Sequence, residues 1–228
     1  MAEAKGQVGV LQPSDFEAAS LADRAYHAIR EMIVSLELRP GAVIDERALM
    51  ERLGIGRTPT REALRRLAQE RLVEVYPRRG MFVTSVEIRD LASLTEVRSL
   101  LESHVARLAA QRATDEDRSA LESLLDELES RADLDTSELM ALDERIHRQV
   151  YSSAHNPFLE STLEEYYVLA LRIWYLALDR APELEQAVLG HRELLEAIRD
   201  GNADRAEATM RRHVLDFEEV MRRVLTGS

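Results

Sequence analysis

Apolar residues at three- and four-residue spacing run through most of the chain, the mark of amphipathic helices. Leu21, Ala25, Ala28, Ile29, Met32, Ile33 and Leu36 form the first stripe, which Arg39-Pro40-Gly41 ends. A short helix is predicted near 45–53, then Gly54-Ile55-Gly56, then a helix from about 57 to 70. In that helix Thr60, Ala63, Leu64 and Leu67 share one face, and Thr58, Arg61, Glu62, Arg65 and Arg66 the other. Pro59 falls in its first turn, where a missing N–H costs nothing. Val73 to Tyr76 and Met81 to Thr84 read as two short strands joined by Pro77-Arg78-Arg79-Gly80. Helix, glycine turn, helix and strand pair predict a winged helix-turn-helix over residues 20–85, preceded by a flexible tail over 1–19.

From about residue 87 the pattern is helical almost to the end. Capping or breaking residues fall near Thr114-Asp115, Ala132 to Asp135, His155-Asn156-Pro157, Ala181-Pro182 and Gly201-Asn202. The fold class is therefore mostly α: the winged head, then an all-α antiparallel bundle of about six helices over 86–228. No tandem repeat and no cofactor-type glycine loop interrupts it.

With 45% apolar and 32% charged residues in 228, the chain can bury a core and does not have a disordered composition. The absence of cysteine excludes a disulfide scaffold, a thiolate zinc site and a cysteine nucleophile, and fits a reducing cytoplasm. No apolar run approaches the roughly 20 residues of a membrane span, and the first residues lack a signal-peptide pattern. A cytoplasmic protein with no membrane partner is expected.

The net charge of −12 argues against nucleic acid until it is divided. Residues 20–85 hold 12 Arg against 9 acids, whereas residues 86–228 hold 17 Arg against 30 acids. A basic head precedes an acidic body, and such asymmetry suggests two tasks. In a helix-turn-helix the N-terminal end of the second helix enters the major groove. Arginine there can donate two hydrogen bonds to a guanine edge, and Arg78 and Arg79 in the wing can meet phosphate or minor groove. The alternative is a solvated basic face on an ordinary three-helix module.

The body carries polar residues inside apolar stripes. Asp143 and His147 lie four apart within Leu139, Leu142, Ile146 and Val150, and so on one helix face. His191 sits within Leu184, Val188, Leu195 and Ile198, and His213 is flanked by Ala206, Met210, Phe217 and Val220. Unpartnered buried carboxylates are costly. A divalent metal held by Asp143, His147, His191 and His213 would satisfy all four, with N and O donors suiting Zn²⁺, Ni²⁺, Mn²⁺ or Fe²⁺. The alternative is three independently satisfied core histidines. Arg98 lies in the stripe of Leu91, Leu94, Leu101, Val105 and Leu108, and pairs either with a protein acid or with an anionic ligand. Arg172 is a second candidate for such a ligand. Tyr166, with Tyr167, Trp174 and Tyr175, supplies core or cavity wall, and Tyr166 joins the effector-binding candidates. His104 is one turn from Arg98 and reads equally as surface; His27 and His155 read as structural.

The run Pro40-Gly41, Glu46-Arg47, Leu49, Leu53-Gly54-Ile55, Arg57-Thr58-Pro59, Arg61 to Leu67 and Arg79-Gly80-Met81-Phe82-Val83 closely resembles the N-terminal signature of the GntR family of bacterial transcription regulators. The resemblance implies DNA-reading roles for Arg47, Arg57, Thr58 and Arg61, with Arg79 and Gly80 in the wing. Two positions depart from the family: Gly56 stands where Ser or Thr is usual, removing a side-chain N-cap, and Arg71 replaces a usual Gly. The body resembles the FCD effector domain of the FadR subfamily. The shared pieces are Glu96-Val97-Arg98, Leu101-Glu102, the Asp143-to-His147 spacing with Asn156-Pro157, His191-Arg192 and Arg212-His213. That resemblance implies metal ligation by Asp143, His147, His191 and His213 and a small carboxylate effector near Arg98. Six helices rather than seven would match the shorter, VanR-like variant.

These readings together lead to a ligand-responsive repressor, a homodimer on a near-palindromic operator rather than an enzyme. A metal-dependent hydrolase and an architectural DNA binder without metal are the alternatives.

Overall fold

The computed structural model describes residues 20–85, 88–130, 135–177 and 184–226. The tail expected over 1–19 and the break expected at Ala181-Pro182 lie outside them. Two compact units emerge: residues 20–85 with Leu171–Leu176, and Ile88–Ala170 with the described residues from Ala177 onward.

The amino-terminal unit contains α1 (Leu21–Val34), α2 (Glu46–Leu53), α3 (Arg57–Gln69), β1 (Val73–Tyr76) and β2 (Gly80–Val83). Ser20 and Asp23 form a reciprocal capping box at the start of α1, and Asp45 caps α2 by accepting from the N–H groups of Arg47 and Ala48. Helix α1 packs against α3, and Ala25, Ile29 and Ile33 of α1 and Ala63, Leu64 and Leu67 of α3 are fully buried. Around that core, Arg66 bonds Asp23 at 2.6 Å and lies over the Tyr26 ring, while Tyr26 donates to Glu70. The strands pair antiparallel, Val73 opposite Val83 and Tyr76 opposite Gly80, and Val43 bridges to Phe82. This is the expected winged helix-turn-helix, with β2 one residue earlier than the sequence suggested. Gly56 offers α3 no side-chain cap, as its identity implied.

The rest of the chain is helical: α4 (Ile88–Arg112), α5 (Asp115–Ser130), α6 (Thr136–Ser153), α7 (Pro157–Ala177, whose Leu171–Leu176 groups with the amino-terminal unit), α8 (Leu184–Leu189), α9 (His191–Arg199) and α10 (Ala203–Thr226). Asp135 and Glu138 form the capping box of α6. Seven helices, rather than six, follow residue 87 among the described residues. Gly190, a poor helix former, divides the predicted helix after Pro182 into α8 and α9. The six-helix count that suggested the shorter, VanR-like variant does not hold among the described residues. Helix α4 packs along α10 and also meets α6 and α9, while α5 lies against α6 and α9. Arg107 of α4 pairs with Asp204 and Glu207 of α10, and the Arg112 guanidinium donates to the Ala154 carbonyl beyond α6. Among the described residues, no helix is long and apolar enough to cross a membrane.

Two helix ends use the same backbone geometry with different residues. After α9, Gly201 adopts φ +69°, and the N–H groups of Gly201 and Asn202 bond the carbonyls of Ile198 and Ala197. After α3, Arg71 adopts φ +61°, with the N–H groups of Arg71 and Leu72 bonding the carbonyls of Ala68 and Leu67. Both are left-handed helix ends that glycine tolerates best, and at Arg71 a Cβ must be accommodated. Arg71→Gly should therefore stabilise the protein by about 0.5–1 kcal/mol, partly offset by the greater freedom of glycine in the unfolded chain. Urea unfolding measures it, and a destabilised variant would contradict the strain.

Candidate functional site

Asp143, His147, His191 and His213 each offer a ligand atom, and all four atoms lie within 4.8 Å of one another. The i,i+4 spacing on α6 places Asp143 and His147 on one inward face. The break at Gly190 makes His191 the first residue of α9, and α10 brings His213. The first three are buried, while His213 keeps some solvent contact. His191 Nε2 lies 3.2 Å from His147 Nε2 and 3.7 Å from Asp143 Oδ1, and the latter is 3.9 Å from His147 Nε2. The His213 ring centroid is 4.1 Å from that of His191 and 5.3 Å from that of His147.

The surrounding hydrogen bonds decide what these atoms present. His191 Nδ1 lies 3.0 Å from the Val188 carbonyl. A carbonyl only accepts, so Nδ1 carries the proton and Nε2 presents its lone pair. His147 Nδ1 lies 3.1 Å from Tyr151 Oη and 3.2 Å from Glu102 Oε2, and a carboxylate at that distance favours a proton on this nitrogen. The Tyr167 hydroxyl donates to Asp143 Oδ2 at 2.7 Å, whereas Asp143 Oδ1 is buried and accepts nothing. Acceptor atoms from two histidines and a carboxylate thus face one another with no donor between them. Such a set is satisfied by a cation. Separations of 3.2–3.9 Å suit donors sharing one ion, since ligand distances of about 2.0–2.2 Å bring neighbouring donors to roughly 3–4 Å. The four residues could hold a metal ion.

Burial lowers the pKa of His191 to about 4, with the neighbouring His147 adding to the effect and Asp143 opposing it. It pushes His213 well below the ordinary histidine value, helped by His191, His147 and Arg98. Both rings are thereby neutral and free to act as ligands near pH 7. Burial also holds the Tyr151 and Tyr167 phenols well above their ordinary value, reinforced by Glu102 and Asp143 respectively.

Arg98 is buried beside this cluster, its Cζ 5.5 Å from the centre of the Phe217 ring. Its Nε donates to Glu102 Oε1 at 2.5 Å, one helical turn along α4. Burial alone would raise the Glu102 carboxyl, but Arg98 and His147 bring it down to about 2. Glu102, Tyr151 and Tyr167 were not among the site residues named from sequence. Glu102 had a signal, standing four residues after an inward arginine. Tyr167, not the half-buried Tyr166, reaches Asp143. Arg172 does not join the cluster: it groups with the amino-terminal unit, where it donates to the Thr84 carbonyl at 2.5 Å and its Nε and Nη1 are buried without partners. His104 is exposed, and His155 pairs with Asp117 at 2.7 Å.

In the amino-terminal unit Arg57, Thr58, Arg47, Arg79 and Gly80 are exposed. Arg47 pairs with Glu51 at 3.0 Å. Arg61 is half-buried, 3.5 Å from Glu46, with its Nε making no hydrogen bond. Arg79 lies near the Tyr76 and Phe82 rings, and Gly80 takes φ +102° at the start of β2. Basic groups therefore cluster at the start of α3 and at the wing, as a groove-reading head requires.

The family model described as the FCD domain matches residues 93–216, and that described as bacterial regulatory proteins, gntR family, matches residues 21–83. A relative from Streptomyces ambofaciens, described as an HTH-type transcriptional regulator in an unstable DNA locus, is 33% identical over 83% of this chain and 80% of its own length. The HTH-type transcriptional repressor RspR of Escherichia coli is 26% identical over 87% of this chain and 88% of its own. The solved structure of E. coli McbR/YncC superposes with a TM-score of 0.78 at 22% identity, covering 89% of this chain and 97% of that one. The families and relatives matched are transcriptional regulators rather than enzymes.

The depressed His191 value sets a pH dependence in metal-stripped protein. The unfolded chain binds that proton near the ordinary 6.5, the folded one only near 4. Stability is therefore complete above about 6.5 and falls as pH drops toward 4. A loss of about 2–3 kcal/mol near pH 4.5 is expected in urea unfolding, and a smaller one in His191→Asn. A flat profile between neutrality and pH 5 would contradict the buried neutral ring.

Proposed function

We propose, from the premise that this chain belongs to the GntR family of bacterial transcriptional regulators and carries an FCD effector domain, that it is a metal-dependent sensor of a small carboxylate, acting as a homodimeric repressor. Asp143, His147, His191 and His213 hold a divalent ion, Zn²⁺, Ni²⁺, Mn²⁺ or Fe²⁺ by donor type. Bound there, the ion supplies a Lewis-acidic position for a carboxylate oxygen. Arg98 supplies directional hydrogen bonds to the same anion. One observation carries this reading: the buried, unsatisfied Asp143 Oδ1 faces two imidazole lone pairs beside a buried guanidinium. The E. coli relative RspR is a transcriptional repressor by name, which supports the sign of regulation.

On the DNA side, Arg47, Arg57, Thr58 and Arg61 read or brace a major-groove half-site, and Arg79 and Gly80 place the wing on the backbone. A dimer would present two such heads to a near-palindromic operator. The acidic body repels duplex and confines binding to the heads. Effector binding changes operator affinity only to the extent that the ligand prefers one arrangement of the dimer over another.

Metal analysis of protein purified without added metal tests the sensor. Near-stoichiometric ion is expected, and far less would leave an architectural DNA binder with core histidines. His213→Ala should lower occupancy and effector response while keeping operator binding, which loss of folding without any metal effect would contradict. Arg61→Ala should weaken binding to DNA selected from a genomic library by about 1–3 kcal/mol if it reads a base, measured by fluorescence anisotropy; unchanged binding removes that role. The same assay should show affinity falling steeply with salt, each phosphate contact adding about −0.9 to the slope of log K against log salt.

A further inference from the structure

Glu102 stands between the two halves of the proposed sensor. One oxygen, Oε1, accepts from Arg98 Nε at 2.5 Å, and the other, Oε2, lies 3.2 Å from His147 Nδ1. The residue is wholly buried, and Oε2 has no aligned hydrogen bond of its own. Tyr151 Oη competes for the same His147 nitrogen from 3.1 Å. The carboxylate is thus divided between an arginine and an imidazole whose far nitrogen points into the acceptor cluster.

We propose that Glu102 is a positioning residue that links anion binding at Arg98 to metal affinity at His147. The inference rests on the metal-sensor reading and adds to it a route of coupling. A carboxylate accepting from the far side of a ligating imidazole fixes its tautomer and orientation and raises its basicity. Arg98 draws part of that carboxylate's charge away. An anion that takes the arginine returns Glu102 to His147, so anion and metal strengthen each other's binding. Linkage makes the effect reciprocal. Glu102 also occupies the guanidinium as a carboxylate ligand must, so it sets the threshold that an incoming anion has to exceed.

The test is the affinity of purified full-length protein for Zn²⁺ alone, read by competition with a chromogenic chelator, in wild type and three variants. Glu102→Gln is expected to bind Zn²⁺ about 10–100-fold more weakly, the range for lost outer partners of ligating histidines. The double variant R98M/E102L removes the buried ion pair without stranding either charge, a replacement that folded proteins tolerate. It is expected to show the same loss and decides the matter if Glu102→Gln fails to fold. Arg98→Met alone leaves the whole carboxylate to His147 and is expected to tighten binding. A pair that serves only structure predicts something else: equal weakening when it is broken from either side, or Zn²⁺ affinity within about threefold of wild type in the double variant. Either result overturns the proposal while leaving the sensor reading intact. Wild-type protein that binds no Zn²⁺ removes both.

Discussion

The acidic bundle is organised around a convergence that apolar packing alone does not favour. Asp143 Oδ1 and the Nε2 atoms of His147 and His191 approach one another with their protons directed outward, toward Val188 and toward Glu102 and Tyr151. In a low-dielectric interior, facing lone pairs repel and an unsatisfied carboxylate oxygen forfeits hydration worth about 1–3 kcal/mol or more. Long helices packed on several sides hold the groups there, and the outer hydrogen bonds forbid the ring flips that would relieve the repulsion. A cation at the centre turns each unfavourable contact into a favourable one.

That logic explains which parts of the centre were legible in the sequence. Asp143 and His147 were, because four-residue spacing within an apolar stripe fixes a helix face. His191 and His213 were, because their stripes are apolar on one side only. Tyr167 was not: α7 is apolar around most of its circumference, so the pattern does not set its rotational phase, and Tyr166 is a neighbouring position with a different outlook. Arg172, on the same helix, has its rotational phase left open for the same reason. Glu102 carried an ambiguous signal: an Arg–Glu pair four apart usually marks a solvated helix face, and only the inward position of Arg98 pointed to a buried pair. The division at Gly190 was also missed, because one glycine inside a periodic pattern is tolerated in many helices.

The head was more legible because its constraints are local. Gly54 and Pro59 occupy positions where the backbone favours a left-handed turn or tolerates a missing N–H, while the caps supplied by Ser20 and Asp45 emerged only in the structure. Arg71 breaks that rule and still takes the left-handed conformation, held by the two backbone bonds that close α3. The head holds Arg71 in this strained conformation because Leu67, Leu72 and Val73 on either side are buried in its core; Leu36 and Arg78 also take positive φ there. Here packing overrides local preference, which the sequence signals only as an oddity.

Charge counting joins the two halves of the proposed site. The described cluster contains two carboxylates, Asp143 and Glu102, one guanidinium, Arg98, and imidazoles held neutral at His191 and His213 by burial. The two carboxylates outnumber the one guanidinium by a single negative charge, which gives the set no reason to admit an anion. A divalent ion reverses that sign and leaves one positive charge inside a poorly screened interior, where a single carboxylate brings neutrality. On the proposed reading, cation and anion therefore favour each other's binding. On the proposed reading, a carboxylate would be reported best by the metal-loaded protein, and Glu102, which accepts from Arg98 and lies 3.2 Å from His147 Nδ1, would be where the two occupancies exchange charge.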